Sequence, residues 1–80
     1  MAKPSPSLSG APALLALGKA IRAERINKGM AQEALAYEAG VDRSYLGGIE
    51  RGEHNVAIIN LIKIANALGV KLSELLTSLD

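Results

Sequence analysis

QEALAYEAGVDRSYLGGIER, residues 32–51, is the stretch whose reading decides the fold. Two short helices that cross at a steep angle touch only where the first offers a small side chain. Ala36 supplies one, with Ala39 beside it. The turn between them needs a residue that takes positive φ without a Cβ clash, which Gly40 does at no steric cost. Asp42 stands where an N-cap belongs, its carboxylate placed to accept from the first amides of the next helix, worth about 0.5–2 kcal/mol relative to Ala. The second helix is therefore predicted to begin at Arg43, with Val41, Leu46 and Ile49 facing back onto a core.

The rest of the chain supplies helices to pack against this pair. Upstream, Leu14, Leu17 and Ile21 recur at helical spacing, and Gly29 follows as a stop, which predicts a first helix over residues 14–28 and puts Met30 in the core. Gly18 inside that helix is expected to cost about 1 kcal/mol relative to Ala. Downstream, Arg43 to Arg51 forms the third helix, ended by Gly52, and Glu53, His54 and Asn55 form a loop. A fourth helix over 58–68 carries a stripe of Ile58, Leu61, Ile62, Ala65 and Leu68, closed by Gly69. A fifth over 72–79 buries Leu72, Leu75 and Leu76, with Leu79 a further candidate for burial. Residues 1–13, rich in Pro, Ser, Gly and Ala, bury little and are expected to be a disordered tail outside the domain formed by residues 14–80.

Composition narrows the class. A domain of fewer than about seventy residues is near the lower limit for unaided folding. With no cysteine, neither a disulfide nor a thiolate metal site nor a thiol nucleophile is available. Stability must come from apolar packing, which 49% hydrophobic against 21% charged residues allows. With no Phe or Trp and only Tyr37 and Tyr45 as aromatics, that packing is aliphatic, and the fold class expected is all-α with five helices. One His, no Cys, dispersed carboxylates and no glycine-rich phosphate loop leave no catalytic constellation, so no enzyme, no cofactor and no small-molecule ligand are expected. His54 has no second His or Cys to complete a metal site. Lys3 is followed by Pro-Ser-Pro-Ser in place of an apolar signal core, and the longest apolar run, 11–17, contains Pro12 and falls far short of the ~20 residues a membrane span needs. A cytoplasmic, nucleoid-associated protein without a membrane partner is expected. The net charge of +1 is too small to argue for a nucleic-acid partner by itself, yet Lys19, Arg22, Arg25 and Lys28 crowd the first helix against Glu24 alone.

Gln32, Ala36, Gly40, Leu46 and Ile49, with the IERG of 49–52 and the IANALGVKLSELL of 64–76, resemble the phage-repressor/Cro-type (Xre-like) helix-turn-helix family over roughly residues 17–76. Tyr37 and DRSYLGGIERGEHNV resemble, within that family, the restriction–modification controller proteins, small dimeric regulators. The resemblance implies a five-helix lambda-repressor-like DNA-binding domain whose third helix enters the major groove of double-stranded DNA. Against the family pattern, Ala57 and Lys71 replace the usual Ser or Thr at the caps of the fourth and fifth helices, so both caps are expected to be lost unless Asn55 substitutes at the first.

Specific roles follow on that docking geometry. An exposed Arg43 in the first turn of the recognition helix is the leading base reader, since a guanidinium pairs bidentately with guanine O6 and N7, worth about 1–3 kcal/mol of discrimination. Its bland alternative is a solvated or phosphate-bound Arg. Ser44 faces the same groove but discriminates weakly. Gly47 and Gly48 are placed with them among the base-reading positions, where the family often carries contacting side chains. Two helical glycines cost about 2 kcal/mol together relative to Ala, so either close approach of the helix to DNA favours them or they are merely tolerated. Gln32, Tyr45, Arg51, His54 and Asn55 are candidate phosphate contacts. Arg25 and Glu50 are expected to form the partly buried ion pair of the resembling family, which removes Arg25 from any DNA-facing charge. Ile59 and Ile62 exceed what one helix face needs and, with Leu79, are expected to form a two-fold homodimer patch matched to a palindromic operator. The competing function is a protein-interaction or antitoxin-like module using that same Ile59/Ile62 surface.

Overall fold

Five α-helices, α1 (Pro12–Asn27), α2 (Gln32–Ala39), α3 (Arg43–Glu50), α4 (Ile58–Leu68) and α5 (Leu72–Leu76), make up the computed structural model, and a single 3-10 turn over Thr77–Leu79 extends α5. The structure describes residues 9–79, and no strand occurs among them. α2 packs on α4 and α3, while α1 packs on α3, α5 and the 3-10 turn. The core between them is built from Ile21, Leu35, Leu46, Ile49, Ile64 and Leu75, all essentially without solvent contact, and Met30 and Val41 pack partly buried against it.

The α2–turn–α3 unit forms as its residues dictate. Gly40 ends α2 in the left-handed region at φ 71°, and its amide donates to the Tyr37 carbonyl at 3.2 Å. Asp42, in extended conformation, accepts from the Tyr45 amide at 3.3 Å and starts α3 at Arg43. Ala36 and Ala39 are buried at the α2 crossing.

Gly18 departs from the sequence expectation of a mild helix cost. A Cβ at this position would stand 2.5 Å from the carbonyl oxygens of both Ile49 and Glu50 and 2.8 Å from the Glu50 carbonyl carbon. The side chain is absent because the end of α3 lies directly on α1 there.

Three further expectations are corrected. The buried stripe of α4 is Leu61, Ile64, Ala65 and Leu68, with i, i+3, i+4, i+7 spacing, whereas Ile58 and Ile62 face solvent and Ile64 is fully buried. Of the tail expected to be disordered, residues 1–8 lie outside the described residues, but 9–13 are ordered. The Gly10 amide donates to the Gly52 carbonyl at 2.8 Å, and Pro12 opens α1, where its missing N–H would have had no helical partner. At α5, Lys71 supplies no accepting side chain for the first helical amides, but the helix does not rest on packing alone, since Glu74 accepts from the Lys71 N–H at 3.0 Å, the return half of a capping box. The cap of α4 at Ala57 is indeed without a side-chain bond.

Gly18→Ala tests the α1–α3 approach. Helix propensity alone favours Ala by about 1 kcal/mol, but the clash is with backbone, which cannot swing aside. Net destabilisation of about 1–3 kcal/mol is expected, seen as a lower urea midpoint at unchanged m value. An unchanged or raised midpoint would show that the two helices are not in backbone contact.

Candidate nucleic-acid interface

The exposed face of α3 is held in place from behind by one polar cluster. Arg25 of α1 donates from Nε to Glu50 Oε2 at 2.8 Å and from Nη2 to Glu50 Oε1 at 3.0 Å, and its Nη1 donates to the Met30 carbonyl at 2.8 Å. Gln32, the first residue of α2, donates from Nε2 to the same Glu50 Oε1 at 3.0 Å. The Glu50 side chain is 2% exposed and that of Arg25 12%, so this is a nearly dry, bidentate pair, with a further Arg25 N–H on the Met30 carbonyl. Hydrogen bonding to Glu50, partly opposed by burial, holds the Arg25 guanidinium above its ordinary value and keeps it charged. The Arg25–Glu50 expectation matches this geometry, and Gln32 gives one of its two amide N–H groups to Glu50, keeping the other.

On the front, Arg43 is exposed and Ser44 half-buried in the first turn of α3. The second turn carries Gly47 and Gly48, and the structure explains both. A Cβ on Gly47 would lie 3.1 Å from Arg51 Nη1 and 3.6 Å from Gln32 Oε1, so Arg51 reaches back along the helix and covers the bare backbone. A Cβ on Gly48 would collide with the His54 imidazole and come within 3.4 Å of Glu53 Oε1. His54 is buried in that slot, its ring 4.9 Å from the Tyr45 ring and tilted 58° to it. Gly48 as a base reader and His54 as a phosphate contact are therefore corrected: the glycine makes room for the histidine, which supports the face from beneath.

Tyr45 is half-buried, and its hydroxyl accepts from Asn60 Nδ2 of α4 at 3.2 Å. Arg51 is exposed and donates to Glu53 from Nε at 2.8 Å and from Nη2 at 3.2 Å. These hydrogen bonds raise the Arg51 guanidinium above its ordinary value and lower the Glu53 carboxyl below its own, so both are ionised at neutral pH. Asn55 is exposed in the following loop. Asn60 and Glu53 are site residues that the sequence expectation missed. The Arg-Gly-Glu spacing of 51–53 was a readable signal for the second, but only the turn at Gly52, φ 77°, folds the carboxylate back onto Arg51.

The apolar patch differs in membership from the expectation. Ile58 (58% exposed), Ile59 (57%) and Ile62 (39%) lie on the outer side of α4, whereas Leu79 packs partly buried against the core and is corrected out of the patch. No described helix is long and apolar enough to cross a membrane, and no group of three potential metal ligands occurs among the described residues.

Two short helices joined at a left-handed glycine, the second braced by a buried ion pair and carrying Arg43 on its outward side, are the framework of a helix-turn-helix protein. The helix-turn-helix family model matches residues 21–75, and the chain belongs to that family. It is 47% identical to the restriction–modification controller protein C.AhdI of Aeromonas hydrophila, whose crystal structure superposes with a TM-score of 0.77, covering 78% of this chain and 94% of that one. The controller C.Esp1396I bound to a 19 base pair DNA duplex superposes with a TM-score of 0.78 at 36% identity, covering 86% and 92%. A hypothetical transcription factor of Neisseria meningitidis is 46% identical over 70% of this chain, which spans about half of that relative's length, 53%.

Arg25→Ala leaves Glu50 buried with Gln32 as its remaining partner, and a loss of about 3–5 kcal/mol is expected in urea denaturation. A loss below 1 kcal/mol would show that the pair does not brace α3.

Proposed function

We propose that this protein is a sequence-specific, double-stranded-DNA-binding transcription regulator of the restriction–modification controller type, acting as a homodimer on a palindromic operator. The observation that carries this reading is the outward face of α3. It presents Arg43 and Ser44 on a helix braced by Arg25, Glu50 and Gln32, in a fold that a controller protein brings to a DNA duplex. Arg43 is assigned to base readout and Ser44 to a weaker contact beside it. Phosphate contacts are assigned to Gln32, through its second amide N–H, and to Tyr45, Arg51 and Asn55, with Arg51 lying over Gly47. The protein has no enzymatic role, needs no cofactor or small-molecule ligand, and works in the cytoplasm at the nucleoid.

Dimerisation is assigned to Ile58, Ile59 and Ile62. Three isoleucines side by side on one helix are unfavourable in water, and a self-complementary contact across a two-fold axis covers them on both copies at once. The alternative, a protein-interaction module, uses the same surface on a different chain. It would be favoured by a protein that stays dimeric yet retards no DNA at low salt.

Selection of bound sites from a random duplex pool tests the reading most directly. A palindrome with half-sites about one helical turn apart is expected, and a featureless pool counts against it. Arg43→Ala is expected to relax preference at one base pair per half-site, costing about 1–3 kcal/mol there. Wild-type preference in that variant would move the readout elsewhere. Ile59→Lys is expected to shift the protein to monomer in sedimentation and to weaken operator binding, while the buried core stays untouched. A dimer of undiminished stability would place the interface on another face.

A further inference from the structure

Arg51 and Glu53 together form the least expected feature of the DNA-facing surface. The pair lies over Gly47 and Gly48, with Arg51 Nη1 against the first glycine and Glu53 Oε1 against the second. The carboxylate grips the guanidinium bidentately through Nε and Nη2 at 2.8 and 3.2 Å. Both side chains remain solvent-accessible, 62% for Arg51 and 30% for Glu53, so the pair sits on the surface itself.

We propose that Glu53 is a specificity-determining residue that restrains Arg51 and withholds it from phosphates at arbitrary sites. The inference rests on the DNA-binding reading of the α3 face. A guanidinium has five N–H donors, and Glu53 occupies the Nε–H and one on Nη2. Three remain, the second on Nη2 and the two on Nη1, and Nη1 lies against Gly47. At long range the pair carries no net charge, so Arg51 adds little to the non-directional attraction that dominates binding to any sequence. At short range a phosphate that approaches from the Glu53 side meets a carboxylate, whereas a group aligned with Nη1 meets donors already oriented. Glu53 thus suppresses the contact that every duplex offers and spares the one that requires a particular docking.

Binding of the full chain to the selected operator and to a random-sequence duplex of equal length, followed by fluorescence anisotropy across a salt series, tests this. Glu53→Gln is expected to bind the random duplex about fivefold tighter at low salt, as loss of one unfavourable charge at contact distance predicts. Its log–log salt dependence should steepen by about one, as Arg51 gains a phosphate. Operator affinity should rise less, so the specificity ratio falls. In an Arg51→Ala background the extra salt dependence should vanish. Unchanged or weaker binding of Glu53→Gln to the random duplex, or a steeper slope that persists without Arg51, overturns the proposal. Wild-type protein that binds neither duplex overturns the DNA-binding reading and this inference with it, a result distinct from wild-type binding that Glu53→Gln leaves unaltered. Both side chains are exposed, so the variants are expected to keep the wild-type urea midpoint.

Discussion

Glu50 is the side chain on which three helices converge. It belongs to α3, its two oxygens accept from Arg25 of α1, and one of them accepts again from Gln32 at the start of α2. A buried carboxylate is costly unless each lone pair is used and a counter-charge stands beside it. Here Arg25 supplies the counter-charge, three N–H groups reach the two oxygens, and an Nη1 N–H of Arg25 also donates to the Met30 carbonyl just beyond the end of its own helix. In a core of aliphatic side chains, which pack in many near-equivalent ways, a directional contact of this kind specifies one arrangement. The angle at which α3 presents Arg43 to solvent is set from behind the helix.

Glycine is the second constraint, and its positions reflect three different demands. Gly40 turns the chain between α2 and α3 at positive φ. Gly18 has ordinary helical geometry and is required by a neighbour, because the carbonyls of Ile49 and Glu50 lie where its Cβ would be. Gly47 and Gly48 weaken α3 as a helix, yet they seat the Arg51 guanidinium on one and the His54 ring on the other. The recognition helix thus has a thin front in its second turn, filled by side chains from the loop that follows it. The side chains that cover this turn come from the C-terminal extension of the helix, and Tyr45, held by Asn60 of α4, ties that extension to the rest of the bundle.

The outer face of α4 carries the opposite imbalance. Leu61, Ile64, Ala65 and Leu68 satisfy the core, and Ile58, Ile59 and Ile62 remain in solvent. So small a domain has little apolar surface to spare, since stability rises with the fraction buried. Burying these three side chains in a second copy would link folding to association and make apparent stability depend on concentration.

Most of the framework was legible in the residues. The bounds of α4, the start of α3 at Arg43, the turn at Gly40 and the cap at Asp42 follow from local pattern: periodicity, turn chemistry and spacing act over a few residues and leave their mark in order along the chain, whereas the Arg25–Glu50 pair, 25 residues apart, was implied only by the family resemblance. What misled was non-local. Ile58 and Ile64 are both apolar and at helical spacing from their neighbours, and only the placement of α2 against α4 decides which faces inward. Composition marked residues 9–13 as unstructured, but the packing of α3 on α1 brings the Gly52 carbonyl to the Gly10 amide from far along the chain. Gly18, Gly48, His54 and Glu53 likewise take their meaning from atoms distant in sequence or folded back by a turn. Local energetics chose the helices and their ends. Steric exclusion and hydrogen-bond satisfaction between helices chose which side chains reach the surface, and so which of them are left to meet DNA.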